Sequence, residues 1–285
     1  MDLRKSALVL LVCLFVLACS GEPSKPAALP FTAAKENLAT LDYEAALKNL
    51  DKTIKAAPDE PDGKEAVVIR IALLTSMAQG SREMAQAYGV GVKQPAARNQ
   101  SGAFTRMRSD YFGISRVRLM NAMEAVLAQR AKLSDAPMPL NIKFPDFSGA
   151  EHAALEKIRH GMAVQESDRY RAELETSRNH LARVMAALAG AGDDVHKGHA
   201  VFEKGAVQLD SRVYLLELTA AFYKLGEIFD AKALDDPRYL RTTFEVVQGN
   251  LDALDKLLAA RPDKDLETRS KKLRADCEKA LKKIT

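Results

Sequence analysis

Apolar residues recur at intervals of three and four along almost the whole chain from Phe31 onward. No stretch shows the sustained alternation of apolar and polar residues that is typical of a half-buried β-strand. Between Tyr43 and Ile54 the apolar residues fall on one stripe of a helix, whereas residues 67–77 are apolar nearly all round. The second pattern predicts a helix with neighbours on several sides. We therefore expect an all-α fold, built as a short solenoid of helical hairpins or as an irregular bundle.

Prolines and glycines divide this helical pattern into regions. Residues 134–149 contain three prolines and form the best internal boundary, an irregular linker between a helical region at 31–133 and a C-terminal helical region at 150–285. Gly80 and the serine after it predict a break between two helices. The dipeptide Asp236-Pro237 predicts a helix start, because a capping carboxylate precedes a proline at the first helical position.

Residues 42–61 form an amphipathic stretch, DYEAALKNLDKTIKAAPDEP, in which a proline follows the apolar stripe. This stretch resembles the second helix of a tetratricopeptide repeat, which has a small residue at the position of Ala46, a bulky one at Leu50 and a proline at Pro58. The small residue lets two helices cross closely, and the proline turns the chain into the next hairpin. Leu41 departs from the family pattern, since glycine or asparagine is usual there.

A second and weaker resemblance to the same repeat covers residues 218–265. Together the two stretches imply tetratricopeptide-like hairpins at 31–133 and again near the end of the chain. One or two such repeats cannot close a hydrophobic core alone, so the helices between them must pack against them.

The N-terminus has the pattern of a secretory signal. Arg4 and Lys5 precede an apolar run at 7–17 that is too short to remain in a bilayer as a spanning helix. The run ends in Val16-Leu17-Ala18-Cys19, and this sequence resembles a bacterial lipobox. The resemblance implies that residues 1–18 are a lipoprotein signal peptide and that Cys19 becomes the lipid-carrying first residue of the mature chain.

Acylated Cys19 would anchor the protein to a lipid bilayer, with residues 19–30 as a flexible tether that contains three prolines. Each buried methylene contributes about 0.8 kcal/mol, so two or three acyl chains hold firmly where one would not. Ser20 after the cysteine resembles the outer-membrane sorting signal of bacteria with two membranes. We therefore expect the protein in the bacterial cell envelope, at the periplasmic face of the outer membrane.

Composition and charge are those of an ordinary globular domain, with 47% apolar and 28% charged residues. The net charge is +4, and loss of one acid and two bases with residues 1–18 lowers it to +3. This balance does not call for a nucleic-acid partner. Cys277 would be the one cysteine left beside the acylated one, so no intrachain disulfide is expected. It falls on the apolar half of an amphipathic last helix, which indicates a buried structural thiol.

The chain shows no catalytic signature. The motifs Gly-x-Ser-x-Gly, His-Glu-x-x-His and Cys-x-x-Cys are all missing from the sequence. His196 and His199 are three residues apart and would share a helix face, but without a third ligand they are weak candidates for a divalent metal. We therefore predict no catalytic residue, no metal and no cofactor.

Two surfaces are candidates for binding a partner. The first is the apolar part of the linker, whose side chains either cover the ends of neighbouring helices or form an exposed contact strip. The second is the strongly polar stretch from Arg169 to Arg178, which we expect in solvent or against a partner. The apolar linker residues are Met138, Leu140, Ile142, Phe144 and Phe147.

These features predict a non-enzymatic scaffold or adaptor that binds another cell-envelope protein on a concave helical surface. The alternative is a small-ligand-binding accessory lipoprotein of a transport system. That alternative needs an enclosed apolar pocket of roughly several hundred Å³, whereas an open groove favours the scaffold. Candidate residues for such a pocket are Phe104, Tyr111, Phe222 and Tyr223.

Overall fold

The computed structural model describes residues 30–134, 136–147, 152–228 and 237–284. This part of the chain consists of α-helices and one short two-stranded sheet, so the predicted all-α class is confirmed. The predicted signal peptide, the lipobox with Cys19 and all of the predicted tether except Pro30 lie outside the described residues. Within the described ranges, no helix is long and apolar enough to cross a membrane.

The secondary structure contains ten helices in the described ranges. In chain order they are α1 (Pro30–Ala39), α2 (Tyr43–Ala56), α3 (Pro61–Gly91), α4 (Ser101–Arg130), α5 (Ala153–Arg159), α6 (Glu166–Leu188), α7 (Val195–Phe202), α8 (Ser211–Ile228), α9 (Pro237–Ala260) and α10 (Lys264–Leu281). A 3-10 helix (Pro95–Gln100) joins α3 to α4. Strands β1 (Met138–Leu140) and β2 (Val207–Leu209) pair antiparallel.

Helix α3 is the centre of the fold. It packs against α2, α4, α5, α6 and α8, and most of its side chains between Ala66 and Tyr88 are buried. Neighbours cover it on most sides, which explains why residues 67–77 are apolar nearly all round the helix. Since α6 and α8 are distant from α3 in sequence, this packing is that of a bundle, not of a solenoid in which each repeat contacts only its neighbours.

The predicted helix break at Gly80 is wrong, because α3 continues without interruption through this residue. Helix α6 crosses α3 at this point. A Cβ atom added to Gly80 would overlap Ser177 Oγ and would lie 3.0 Å from both the Cα and the backbone nitrogen of Ser177. The glycine therefore allows two helices to approach closely instead of turning the chain.

The first hairpin, α1 and α2, has a tight turn with a left-handed residue. Leu41 has φ of 62°, a conformation that glycine and asparagine adopt more easily, as at this position of the tetratricopeptide pattern. Asp42 then caps α2, because its carboxylate accepts a hydrogen bond of 3.1 Å from the Ala45 amide. Ala46 is fully buried, in keeping with a close helix crossing.

The linker is partly extended, since β1 lies within it. Leu140 and Phe144 are buried, and the other three apolar residues are half-buried against the core. The Asn141 amide donates a 2.7 Å hydrogen bond to Glu65 on α3. The apolar linker residues thus cover the helical body, the first of the two alternatives, and the two buried ones are not exposed to a partner.

The C-terminal helices α8, α9 and α10 pack against one another. Helix α9 begins at Pro237, as predicted. Leu266 and Cys277 bury one face of α10, and its basic face is tied to the body by Arg269 to Glu217 and by Arg274 to two aspartates of α9. This confirms the expected amphipathic last helix.

Candidate functional site

An open groove runs beside α2, which we call the α2 groove. Helix α3 forms its floor, α4 contributes the far wall, and its volume is about 510 Å³. The groove opens to solvent and is not an enclosed cavity. Its lining residues are Glu44, Leu47, Lys48, Asp51, Lys52, Lys55, Arg70, Leu74 and Asn121.

The two faces of α2 explain how the groove arises. Tyr43 and Leu50 are buried on the side that packs against the neighbouring helices α1 and α3. Lys48, Lys52 and Lys55 are spaced by four and three residues, so they share another face of the same helix. All three lysines are exposed. Burial of the apolar stripe therefore presents a row of cations along the groove.

The acidic side chains of the α2 groove are already paired. Arg70 Nε lies 2.5 Å from Asp51 Oδ1, and Arg118 Nη2 lies 3.4 Å from Glu44 Oε1. These pairs neutralise both carboxylates of the lining. The positive charge of the lysine row therefore faces the groove without compensation from its own acids.

The lysines have no carboxylate partner among the described residues. Lys52 has a long hydrogen bond of 3.4 Å to the side-chain oxygen of Asn49, a neutral group. Leu74 is buried and Leu47 half-buried, so apolar side chains lie between the charges. An apolar floor with a cationic edge suits a ligand that is itself apolar on one side and acidic on the other.

Arg118 fixes the position of α2 relative to α4, α3 and α6. Its guanidinium lies 2.7 Å from Glu173 on α6 and donates to Ser81 Oγ on α3 at 2.5 Å, in addition to its contact with Glu44 on α2. The side chains of Arg118 and Glu173 are only 17% and 13% exposed. One half-buried cation thus connects four helices, and the shape of the α2 groove depends on it.

A second open groove, of about 410 Å³, lies between α6 and α8. His180 lines it, and the Nε2 of this residue lies 2.9 Å from Glu83 Oε2. The hydrogen bond from His180 holds the pKa of Glu83 below its usual range, helped by the charge of Arg159. Among the described residues that line this groove there is no serine, threonine or cysteine.

His196 and His199, the weak metal candidates, lie against the linker. Their rings pack edge-on at 5.1 Å from Phe147 and 5.6 Å from Phe144, measured between ring centroids. Within the part of the chain that the structure describes, no three His, Cys, Asp or Glu side chains gather to form a metal site. The packing against phenylalanine accounts for the placement of both imidazoles.

The polar middle of α6 lies against α3 and is not free in solvent. Arg169 pairs with Glu166 on the same helix and lies near Tyr88 and Tyr111, whose pKa values burial raises above the usual range although the charge of Arg169 opposes the rise. Arg178 pairs with Glu175 on the same helix. Both arginines therefore have internal contacts that a partner would have to replace.

The four aromatic residues of the alternative pocket fall into two separate clusters. Phe104 and Tyr111 pack around Tyr88, with ring centroids 5.1 and 6.0 Å away. Tyr223 packs on Phe244 at 5.6 Å. None of the four lines either of the two grooves.

Cys277 is expected to be unreactive in the folded protein. The thiol is buried, donates a 3.4 Å hydrogen bond to the carbonyl of Phe244, and has a pKa raised to about 11 by burial. Since the thiolate is the nucleophile, alkylation near neutral pH should require unfolding. Iodoacetamide labelling, read by mass spectrometry of the peptide that contains Cys277, should be slow in buffer and complete in denaturant. Rapid full labelling in buffer would contradict this.

Sequence reasoning missed the α2 groove, although one signal for it was visible. The lysine spacing on α2 can be read directly from the sequence. The sequence does not show that Arg70 and Asn121 also line the groove, because their positions depend on how α3 and α4 pack beside α2.

Comparisons with known proteins give no relative from which a function could be carried over. No protein-family model, no curated protein and no solved structure matches this chain significantly. The lipobox and tetratricopeptide resemblances therefore stay predictions from the sequence.

Proposed function

We propose that this protein is a lipid-anchored, non-enzymatic scaffold of the bacterial cell envelope that holds a segment of another envelope protein in the α2 groove. The observation that supports this best is the open groove itself, with its apolar floor and its row of unpaired lysines. Acylation of Cys19 would tether the folded body to the periplasmic face of the outer membrane. Helix α1 begins at Pro30, so the tether of residues 19–30 would reach roughly 40 Å when extended.

The groove favours an acidic, amphipathic helix as the bound segment. Apolar side chains of such a helix would pack on Leu47 and Leu74, and its carboxylates would meet the lysine row. This is the helix-in-groove mode of recognition, in which apolar residues at intervals of three and four anchor the ligand. The paired charges of Asp51 and Glu44 leave the lysines available for it.

A small-ligand-binding accessory lipoprotein is less well supported. Ligand pockets bury about 70–90% of a drug-sized molecule, and both grooves are open to solvent. The aromatic residues that would line an apolar pocket are packed against neighbours in two clusters. An open groove holds an extended protein segment better than a small molecule.

Crosslinking inside the envelope tests the proposed partner. A photoreactive amino acid at Lys52 of the full chain should capture an envelope protein through an acidic segment in intact bacteria, identified by mass spectrometry. Lys256 on α9 is also exposed but lies outside the groove, and it serves as the matched position. Capture of no protein at Lys52, or of the same set at both positions, would refute the proposal.

Reversal of the charge of the three groove lysines should weaken capture of the partner protein. We expect the triple variant Lys48→Glu, Lys52→Glu and Lys55→Glu to lower crosslinking from a photoreactive group at Leu47 by about tenfold or more, because three attractions become repulsions. Stability should change little, since each lysine is exposed and lacks a carboxylate partner.

The control for this variant is a second triple reversal, of Lys271, Lys272 and Lys279 on α10, which are likewise exposed. It applies the same change of net charge away from the groove. Capture that falls equally in both triple variants would show that overall charge, not the α2 groove, attracts the partner.

A further inference from the structure

Helix α4 carries an exposed seam on the side that faces away from its neighbours. Its members are spaced alternately by four and three residues, which is the spacing of the contact positions in a two-stranded coiled coil. They are Arg106, Asp110, Gly113, Val117, Met120 and Glu124.

All six positions are exposed, although the two apolar ones belong to the types that most often lie inside. Val117 is 59% and Met120 40% exposed. A Cβ atom added to Gly113 would have no atom within 4 Å, so the backbone of α4 is open to close approach there. This face is free to pack against a second helix.

The charges at the two ends of the seam select the partner. Arg106 and Glu124 have opposite signs, and each lies nine residues from Ser115. Neither has an ion-pair partner among the described residues. If two copies of α4 pack antiparallel about a two-fold axis at the level of Ser115, Arg106 of each copy faces Glu124 of the other. A parallel pair would instead place like charges together.

The same register brings complementary shapes together at the centre of the seam. Gly113 of one copy lies opposite Val117 of the other, so the valine fills the space beside the glycine. Asp110 falls opposite Met120, which weakens the contact. In a two-fold interface the same surface of both copies is in contact, so each residue pair occurs twice.

We infer that this protein forms a two-fold dimer through antiparallel pairing of α4 with α4 of a second copy. One helix pair buries less than the roughly 1,600 Å² of a standard stable interface, so the dimer is weak in dilute solution. Attachment of both copies to one membrane would raise their effective concentration and favour it. The inference goes beyond the proposed function and does not need a partner in the α2 groove.

The dimer also affects how the α2 groove could bind a partner. Each dimer then carries two α2 grooves, one on each copy, and a partner with two acidic segments can bind both. Binding through two linked sites strengthens attachment without any new contact.

Charge reversal tests the register directly. Full chains with two different C-terminal tags are produced in the same bacteria, and the fraction of one copy captured with the other is measured. Arg106→Glu alone and Glu124→Arg alone should each lower co-capture about tenfold, since two attractions per dimer become repulsions. The double variant should return to the wild-type value, because each glutamate again faces an arginine.

A mixture of the two single variants gives the sharpest outcome. An Arg106→Glu copy and a Glu124→Arg copy should capture each other better than either captures itself. Loss of folding cannot produce this recovery. Single reversals without effect, or a double variant as weak as the singles, would overturn the antiparallel dimer.

A photoreactive group at Val117 identifies what covers the seam. It should yield a covalent dimer of this chain, whereas the same group at Val90, an exposed valine on α3, should not. Capture of a different protein or of lipid alone at Val117 would overturn the inference. The lysine-row experiment is independent of this result, so failure of the dimer and failure of the α2 groove are distinguishable.

Discussion

Replacement of Gly80 by valine is expected to destabilise the folded protein by about 3 kcal/mol. The new side chain would meet the backbone of Ser177, where α6 crosses α3, and a backbone cannot move aside as a flexible side chain can. Overpacked cores typically lose about 1–3 kcal/mol, and forcing two long helices apart lies at the upper end of this range. Valine is a better helix former than glycine by only a few tenths of a kcal/mol, so this gain does not compensate.

Denaturant unfolding followed by far-UV circular dichroism measures the difference. The matched control is Gly102→Val in the first turn of α4, where an added Cβ has no atom within 4 Å. We expect the control to change the free energy of unfolding by less than about 0.5 kcal/mol. Equal stability of the Gly80→Val variant and the wild type would show that the helices do not cross at this point.

Gly80 also shows why a single sequence misleads about helix ends. The apolar pattern on either side of it is continuous, and glycine together with proline is the strongest local signal for a helix end. The residue that requires it, Ser177, is almost a hundred positions away in sequence. A glycine that allows a close crossing and a glycine that ends a helix therefore give the same local signal.

The linker shows the opposite case, in which a short local signal for a strand is present in the sequence. Met138, Leu140, Ile142 and Phe144 alternate with polar residues and proline, but this strand-like period lasts for only the seven residues 138–144 and is not sustained. The prolines around them favoured an irregular segment, and the partner strand β2 is only three residues long. By contrast, the start of α9 at Pro237 followed directly from the capping signal in the sequence.

The α2 groove lies between these two cases. Periodicity predicts that one face of α2 is buried, so the exposed position of the lysine row follows from sequence. The pairing of Arg70 with Asp51 and of Arg118 with Glu44 does not, because these residues meet only after α3 and α4 have packed. From the sequence alone, the acids and lysines of α2 predict a surface of mixed charge, because the two arginine partners are not visible there.

Replacement of Arg118 by methionine is expected to have the largest effect on both stability and the α2 groove. The change leaves the carboxylate of Glu173, only 13% exposed, without its nearest cation. Removal of one partner of a buried ion pair destabilises a protein by about 3–5 kcal/mol, chiefly because an uncompensated charge stays behind. The double variant Arg118→Met with Glu173→Met should recover most of that loss, since no buried charge remains.

Arg70→Met supplies the comparison, because Asp51, the partner of Arg70, is 56% exposed. An exposed pair contributes at most about 1 kcal/mol, so this variant should unfold close to the wild type. Equal effects of the two arginine variants would refute the central role of Arg118. If that role holds, the Arg118→Met/Glu173→Met double variant should be folded yet still capture less partner at Lys52, because Glu44 is no longer connected to α4. The double variant would then be nearly as stable as the wild type but would bind the partner less well. This is the result expected if the contacts of Arg118 inside the protein set the shape of the α2 groove on its surface.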